Sequence, residues 1–219
     1  MDKSSLFNKK LGLRWNRLVR KIWVDPRNRR RLRNREFTIL CNNCNAGVIT
    51  HDLGQQFCSP TVNLFFYEDH FLRFCENLEY YLAQELVECK NPSYVPDVEY
   101  PICNLGDLEL HFLHYKSFDE AYDTWNRRKR RINRENIFVM WTFLGGTDIK
   151  LMERFDKLSF KNKVAFTEKE FHRVSSAFCI KGYPEGLGVL TLFDNLFGRR
   201  VIDQFDYVSW LNDGTLKRM

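Results

Sequence analysis

Twice in this chain an apolar, strand-forming run stops abruptly in a stretch of amide, hydroxyl and glycine residues. That pairing constrains the fold more than any other feature. The first run is Phe37-Thr-Ile-Leu-Cys41, followed by Asn42-Asn43-Cys44-Asn45-Ala46-Gly47. The second is Ile137 to Phe143, followed by Gly145-Gly146-Thr147-Asp148. Buried strands that end in small polar loops place those loops at the carboxyl edge of an open sheet, where α/β proteins hold their ligands. Helical segments separate the strands, and such alternation implies a mainly parallel sheet with helices on both faces. The expected fold class is therefore α/β, three-layer and Rossmann-like. It lacks the dinucleotide fingerprint, because no Gly-x-Gly-x-x-Gly occurs.

The rest of the chain fills in that frame. Gly47 to Leu53 reads as a short helix or loop, and Val62 to Tyr67 as a second strand after Ser59-Pro60-Thr61. Glu68-Asp69 start a helix expected to run to about Glu88, with Phe71, Phe74, Cys75, Leu78, Tyr81, Leu82 and Leu86 on its apolar face. Residues 91–101 read as a loop, Ile102 to Leu105 as a short strand and Gly106-Asp107 as a turn. Leu108 to Tyr115 alternates, with Leu108, Leu110 and Phe112 on one face and Glu109, His111 and Leu113 on the other. Ser117-Phe-Asp-Glu120 has the form of a capping box and starts a helix with Phe118, Ala121, Tyr122, Trp125 and Ile132 as its buried stripe. Residues 149–158 are expected as a helix and Val164 to Thr167 as a strand. The apolar tail segments Phe178 to Ile180, Val189 to Phe197 and Val201 to Leu211 fit either state.

Charge divides the chain. Residues 1–36 carry a net +10, while the whole chain carries +6, so residues 37–219 sum to −4. Residues 1–36 are accordingly expected as a basic amphipathic N-terminal extension and residues 37–219 as a single α/β domain. Within the extension, Leu11, Trp15, Leu18, Val19 and Ile22 fall on one face of a helix over 9–23 and most of Lys10, Arg14, Arg17 and Lys21 fall elsewhere. A basic helix with aromatics at its apolar edge suits an anionic membrane surface, and a helix docked on its own domain has the same pattern. Asp25-Pro26 is expected to end it, leaving Arg27 to Arg35 as a basic linker. That linker is unspecific for nucleic acid, and no nucleic-acid partner is expected. No apolar run has the length of a membrane span, and the charged N-terminus lacks a signal-peptide core. A cytoplasmic location, peripheral at the inner face of the cell membrane, is expected.

Seven cysteines in apolar surroundings read as reduced thiols. Cys41-x-x-Cys44 has metal or redox spacing but no second pair accompanies it. No metal is expected, and no cofactor is named by any motif. Three groups carry candidate chemistry. Asn42 and Asn43 offer donors and acceptors to a hydroxylated ligand, or favour a tight turn, and Cys44 beside them is a nucleophile if a base is near. Glu109 and His111 lie two apart on a strand, so the acid can orient the imidazole as a base, and Asp107 stands close by in sequence. His114 falls on the face opposite His111, so the two cannot serve one metal. Arg127 and Arg128 offer guanidinium forks to anions, and a solvated helix end explains the same residues.

Several words in the chain, taken together, resemble a bacterial family found with exopolysaccharide and capsule genes. They are Phe37-Thr-Ile-Leu-Cys-Asn-Asn-Cys44, Ser59-Pro-Thr61, Tyr100-Pro101, Leu105-Gly-Asp-Leu-Glu-Leu-His-Phe-Leu-His-Tyr115, Trp125-x-Arg127-Arg128 and Asn162-Lys163-Val164. The chain departs from the family at Cys41, where the family has Ser, and at Asn45-Ala46-Gly47, where it has Trp-Gly-Gly. The resemblance implies an α/β fold and a place in exopolysaccharide biosynthesis, with a glycan or lipid-linked saccharide as partner. It carries no catalytic residue with it. The resulting expectation is a membrane-surface group transferase, glycosyl or acyl. Asp107, Glu109, His111 and Cys44 would carry the chemistry. Asn42, Asn43, Ser59, Thr61, His114, Tyr115, Arg127 and Arg128 would line the substrate site. The alternative is a non-catalytic glycan- or partner-binding component of the same machinery.

Overall fold

The computed structural model describes residues 3–93, 98–143, 146–182 and 188–219, with the backbone alone for 3–10. Four strands form a parallel sheet in the order β1 (Thr38–Cys41), β5 (Ile137–Thr142), β6 (Asn162–Thr167), β7 (Ala177–Cys179). Its residues alternate faces as the pleat requires. Ile39, Cys41, Phe138, Met140, Val164 and Phe166 pack against α3 (Asn45–Asp52) and α8 (Tyr207–Asp213). Leu40, Val139, Trp141 and Ala165 pack on the other side against α4 (Glu68–Glu76), α6 (Phe118–Lys129) and α7 (Ile149–Asp156). The α/β class with helices on both faces is the observed one.

A second, antiparallel sheet of three short strands was not separated by the sequence. It comprises β2 (Leu86–Glu88), β3 (Ile102–Leu105) and β4 (Leu108–His111). The helix expected from Glu68 to Glu88 breaks at Asn77, at φ −129° and ψ 46°, resumes as α5 (Leu78–Ala83), and gives way to β2. Leu86 reaches the core by pairing opposite Leu105.

Val62 to Tyr67 is not a strand. The 58–66 segment runs along the free edge of β1 and closes it with side chains. The Thr38 hydroxyl donates to the Cys58 carbonyl at 3.3 Å and Cys41 N–H donates to Thr61 Oγ1 at 3.1 Å. Phe66 N–H then bonds the Asn42 carbonyl at 2.9 Å, while Phe65 exchanges two backbone bonds with His111. This segment therefore joins the two sheets and has too few partners on either to extend a ladder.

The N-terminal helix does not stop at Asp25-Pro26. Helix α1 (Lys3–Val19) passes through a π-helical turn, Arg20–Val24, into α2 (Asp25–Arg31). Pro26 sits in the first turn of α2, where its fixed φ suits the helix. The N-terminal segment is docked from Asn16 onward. Asn16, Arg20, Asp25, Asn28 and Leu32 are buried against the body. Among the described residues no helix is long and apolar enough to cross a membrane.

Candidate functional site

The carboxyl end of β1 delivers Asn42, Asn43 and Cys44 to the seam between the two sheets. All three asparagines of this stretch, Asn42, Asn43 and Asn45, are buried. Asn42 makes a two-way bond with the end of β5: its Nδ2 donates to the Thr142 carbonyl at 2.8 Å and its Oδ1 accepts Thr142 N–H at 3.1 Å. Asn43 Nδ2 donates to the Gly188 carbonyl at 2.6 Å and to the Thr142 hydroxyl, and its Oδ1 accepts Asn45 N–H at 3.0 Å. Asn45 spans Gly188 and Leu190 in the same way, at 3.2 and 2.9 Å. Neither Asn42 nor Asn43 has a positive φ. Their amides are spent on stapling three loops together, so they are neither a ligand wall nor a left-handed turn. Gly145 of the second small-residue loop lies outside the described residues.

Ser59, Thr61, Tyr115 and Arg128 are equally committed. Ser59 and Thr61 hydroxyls lie 3.0 Å apart, and Thr61 holds the β1 edge. Arg128 Nη1 donates to the Val62 carbonyl at 2.8 Å and to the Tyr115 hydroxyl at 2.7 Å, and Tyr115 donates to the same carbonyl at 3.1 Å. Its guanidinium carbon also stands 5.1 Å from the Phe57 ring centroid. Arg127 is exposed and donates to the Thr124 hydroxyl on its own helix at 3.2 Å. The Ser117 hydroxyl caps α6 by accepting Glu120 N–H, while the Glu120 carboxylate reaches Lys116 instead of Ser117.

Asp107 does not join the site. It stands exposed at the tip of the β3–β4 hairpin, where it accepts hydrogen bonds from Arg73 and, at 3.0 Å, from the Tyr81 hydroxyl. It lies four residues before His111, about 13 Å along the strand. Glu109 and His111 are a buried pair, 2.9 Å apart, and Glu109 also accepts Ser93 N–H at 2.7 Å. The His111 ring is enclosed by Phe65, Tyr67 and Tyr100, and the Tyr100 hydroxyl lies 3.4 Å from Nδ1. Burial lowers the His111 pKa, and the Glu109 carboxylate opposes that shift. A fully enclosed imidazole has no open path to a substrate at Cys44.

The residue that does reach Cys44 is His114. Cys44 Sγ and His114 Nε2 are 3.2 Å apart, with the thiol half-buried and the imidazole exposed. With the ring proton on Nδ1, the thiol donates to Nε2. Cys44 is the N-cap of α3, and burial nevertheless pushes its thiol up. In that tautomer the thiol has an acceptor in place. Cys41 faces the other way, its thiol donating to Asn43 Oδ1 at 3.4 Å and pushed up by burial to about 12. Among the described residues no group of three or more His, Cys, Asp or Glu side chains is placed to hold a metal ion.

The N-terminal helix docks by its polar side. Arg20, 3% exposed, donates to Asp52 at 2.8 Å, to Asp203 at 2.6 and 3.2 Å, to the Tyr207 hydroxyl at 3.1 Å and to the Gly198 carbonyl at 3.1 Å. Asn16 Oδ1 accepts Gly198 N–H at 3.0 Å. The opposite side of the helix, with Leu11, Trp15, Leu18 and Ile22, is exposed. Trp23 (73% exposed), Leu196 and Phe197 (75% exposed) extend that apolar face, and Trp15 Nε1 donates to the Leu196 carbonyl at 2.9 Å. The periodicity of the helix marked most of this face. Nothing in the sequence tied Leu196-Phe197 to it.

A family model described as "Domain of unknown function (DUF1919)" matches residues 15–212. An uncharacterized protein of Haemophilus influenzae is 40% identical over 185 residues, covering 84% of this chain and 87% of its own length.

Proposed function

The chain belongs to the family described as Domain of unknown function (DUF1919), and on that footing we propose that it is a membrane-surface acyltransferase acting on a glycan. The observation that carries this reading is the Cys44–His114 contact of 3.2 Å at the carboxyl end of a parallel sheet strand. That is where this fold class keeps its chemistry. A thiol raised by burial needs a base at the moment of reaction, and His114 is in reach to supply it. The step balances. The Cys44 proton passes to His114, sulfur attacks the acyl carbonyl, and the leaving group takes the proton from His114. A glycan hydroxyl then attacks the thioester and gives its proton to His114; the acyl–sulfur bond breaks, the acyl group stays on the glycan oxygen, and His114 returns the proton to the departing Cys44 thiolate. Glycosyl transfer does not use a thiol–imidazole pair so directly, and acyl transfer is the better fit.

The outward apolar face supports the location. Arg14, Arg17, Lys21, Arg27 and Arg30 rim it, a composition suited to an anionic lipid surface. The exopolysaccharide pathway remains part of the proposal through the resemblance in sequence words.

The test is acylation by para-nitrophenyl acetate, read by intact mass and peptide mapping. Cys44 is expected to acylate ahead of the other six cysteines. His114→Ala should slow that step about 100-fold or more, and Cys44→Ala should abolish it. If Cys44 reacts no faster than Cys58 or Cys89, the acyl-transfer reading is wrong and the chain is a binding component.

A further inference from the structure

A broad cleft lies apart from Cys44. It opens between the N-terminal helix and α3, with a volume of about 740 Å³. That volume is in the range of small-molecule sites. Five cationic side chains line it, Arg17, Arg20, Lys21, Arg29 and Arg200, against the carboxylates Asp25 and Asp52. Asp52 is already claimed: it binds Arg20 and Arg200 and lies 3.3 Å from His51 Nδ1. Arg20 also spends its charge on Asp203 behind the wall. Arg17 and Lys21, exposed at the mouth, have no acidic partner among the described residues. Arg200 Nε is buried with no hydrogen-bond partner there. The cleft is therefore a positive pocket with cationic capacity left over.

Its position matters as much as its charge. Gly47, Val48 and His51 form its α3 wall. They share one stripe of that helix with Cys44, being three, four and seven residues on. Cys44 to His51 spans about 10 Å of helix. The cleft therefore lies along the helix that starts at Cys44.

We propose that this cleft binds the phosphate or diphosphate group of the substrate, held by Arg17, Lys21 and Arg200, with the substrate's hydroxylated end directed along α3 toward Cys44. The proposal rests on the transferase reading for its second half and on the cleft alone for its first. Guanidinium and ammonium groups spread across such an opening suit a diphosphate better than a carboxylate. The diphosphate belongs either to a soluble nucleotide sugar or to a lipid carrier.

The test is isothermal titration of the full chain with inorganic pyrophosphate, without lipid. Saturable one-site binding is expected, weakened about tenfold or more by Arg17→Gln/Lys21→Gln. Among the described residues neither side chain has an ion-pair or hydrogen-bond partner, so the double variant should fold normally. Arg130→Gln, on α6's far end, should leave binding unchanged. UDP-glucose and farnesyl diphosphate then separate the two sources: the tighter binder names the class, and both should weaken in the double variant. Absence of saturable pyrophosphate binding, or equal binding by the double variant, overturns the assignment. Cys44 takes no part in this titration, so its failure is distinct from failure of the acylation test.

Discussion

Gly198 presses on the backbone of Arg20: a Cβ built on the glycine would stand 2.7 Å from the Arg20 nitrogen and 3.0 Å from the Asn16 carbonyl oxygen. Its φ of 71° is also one that side chains resist. The loop carrying Leu196 and Phe197 is thus clamped to the N-terminal helix by a contact that only glycine permits.

Gly198→Ala should therefore destabilise the fold by about 2–4 kcal/mol, combining overpacking with left-handed strain. Urea unfolding followed by Trp fluorescence reads it. A loss under about 0.5 kcal/mol would mean that the loop simply moves away and the clamp is not structural.

Asn42→Ala leaves Thr142 N–H and C=O without their side-chain partner in the interior. The expected cost is about 2–4 kcal/mol. If Asn42 is a staple, acylation of Cys44 per folded molecule should fall far less than stability does. A ligand-binding asparagine would show the reverse.

Asp25 gives stability a pH dependence. Burial, aided by Asp52, raises its carboxyl to about 6, and Arg20 only partly opposes this. In the unfolded chain it titrates near 4. Between these values the folded state holds the proton and the unfolded state does not, so this group's contribution falls as pH rises from about 4 to about 6. Asp25→Asn should be more stable than the parent at pH 7 and should match it below pH 4. Chemical denaturation at both pH values checks the sign, and a variant less stable at pH 7 would show that the Arg20 pairing outweighs burial.

Trp15→Ser/Phe197→Ser should lower binding to vesicles containing phosphatidylserine by about tenfold or more, since each ring is a large apolar surface. Vesicle sedimentation reads it. Pelleting equal to the parent would remove the apolar face from the membrane contact.

Much of the architecture was legible because Phe37 to Cys41 and Ile137 to Phe143 are apolar on both faces, as strands covered by helices on both sides must be. The small sheet was not, because its pairings, such as Leu86 with Leu105, join three- and four-residue strands across a loop. Val62 to Tyr67 looked like a strand, yet its backbone partners are Asn42, just past the end of β1, and His111 of β4 in the other sheet. Within the site, Cys44 and its neighbouring amides were visible as a polar loop. The pairing with His114 was not, for the two lie 70 residues apart and meet only through the fold. Glu109 and His111 looked catalytic by spacing, and burial made them a sealed pair. The apolar stripe of α1 was readable, but not its direction. Apolar faces ordinarily turn inward, and here the ion pairs of Arg20 with Asp52 and Asp203 pull the polar side in.

If that reversed helix meets a lipid surface as proposed, the binding carries a calorimetric signature. Taking Trp15, Leu18, Ile22 and Phe197 out of water removes ordered hydration and must lower the heat capacity, whereas charge neutralisation at the arginine rim releases counterions with little such change. The binding enthalpy should therefore grow more negative with each degree of warming, and the slope measures how deeply the face is buried.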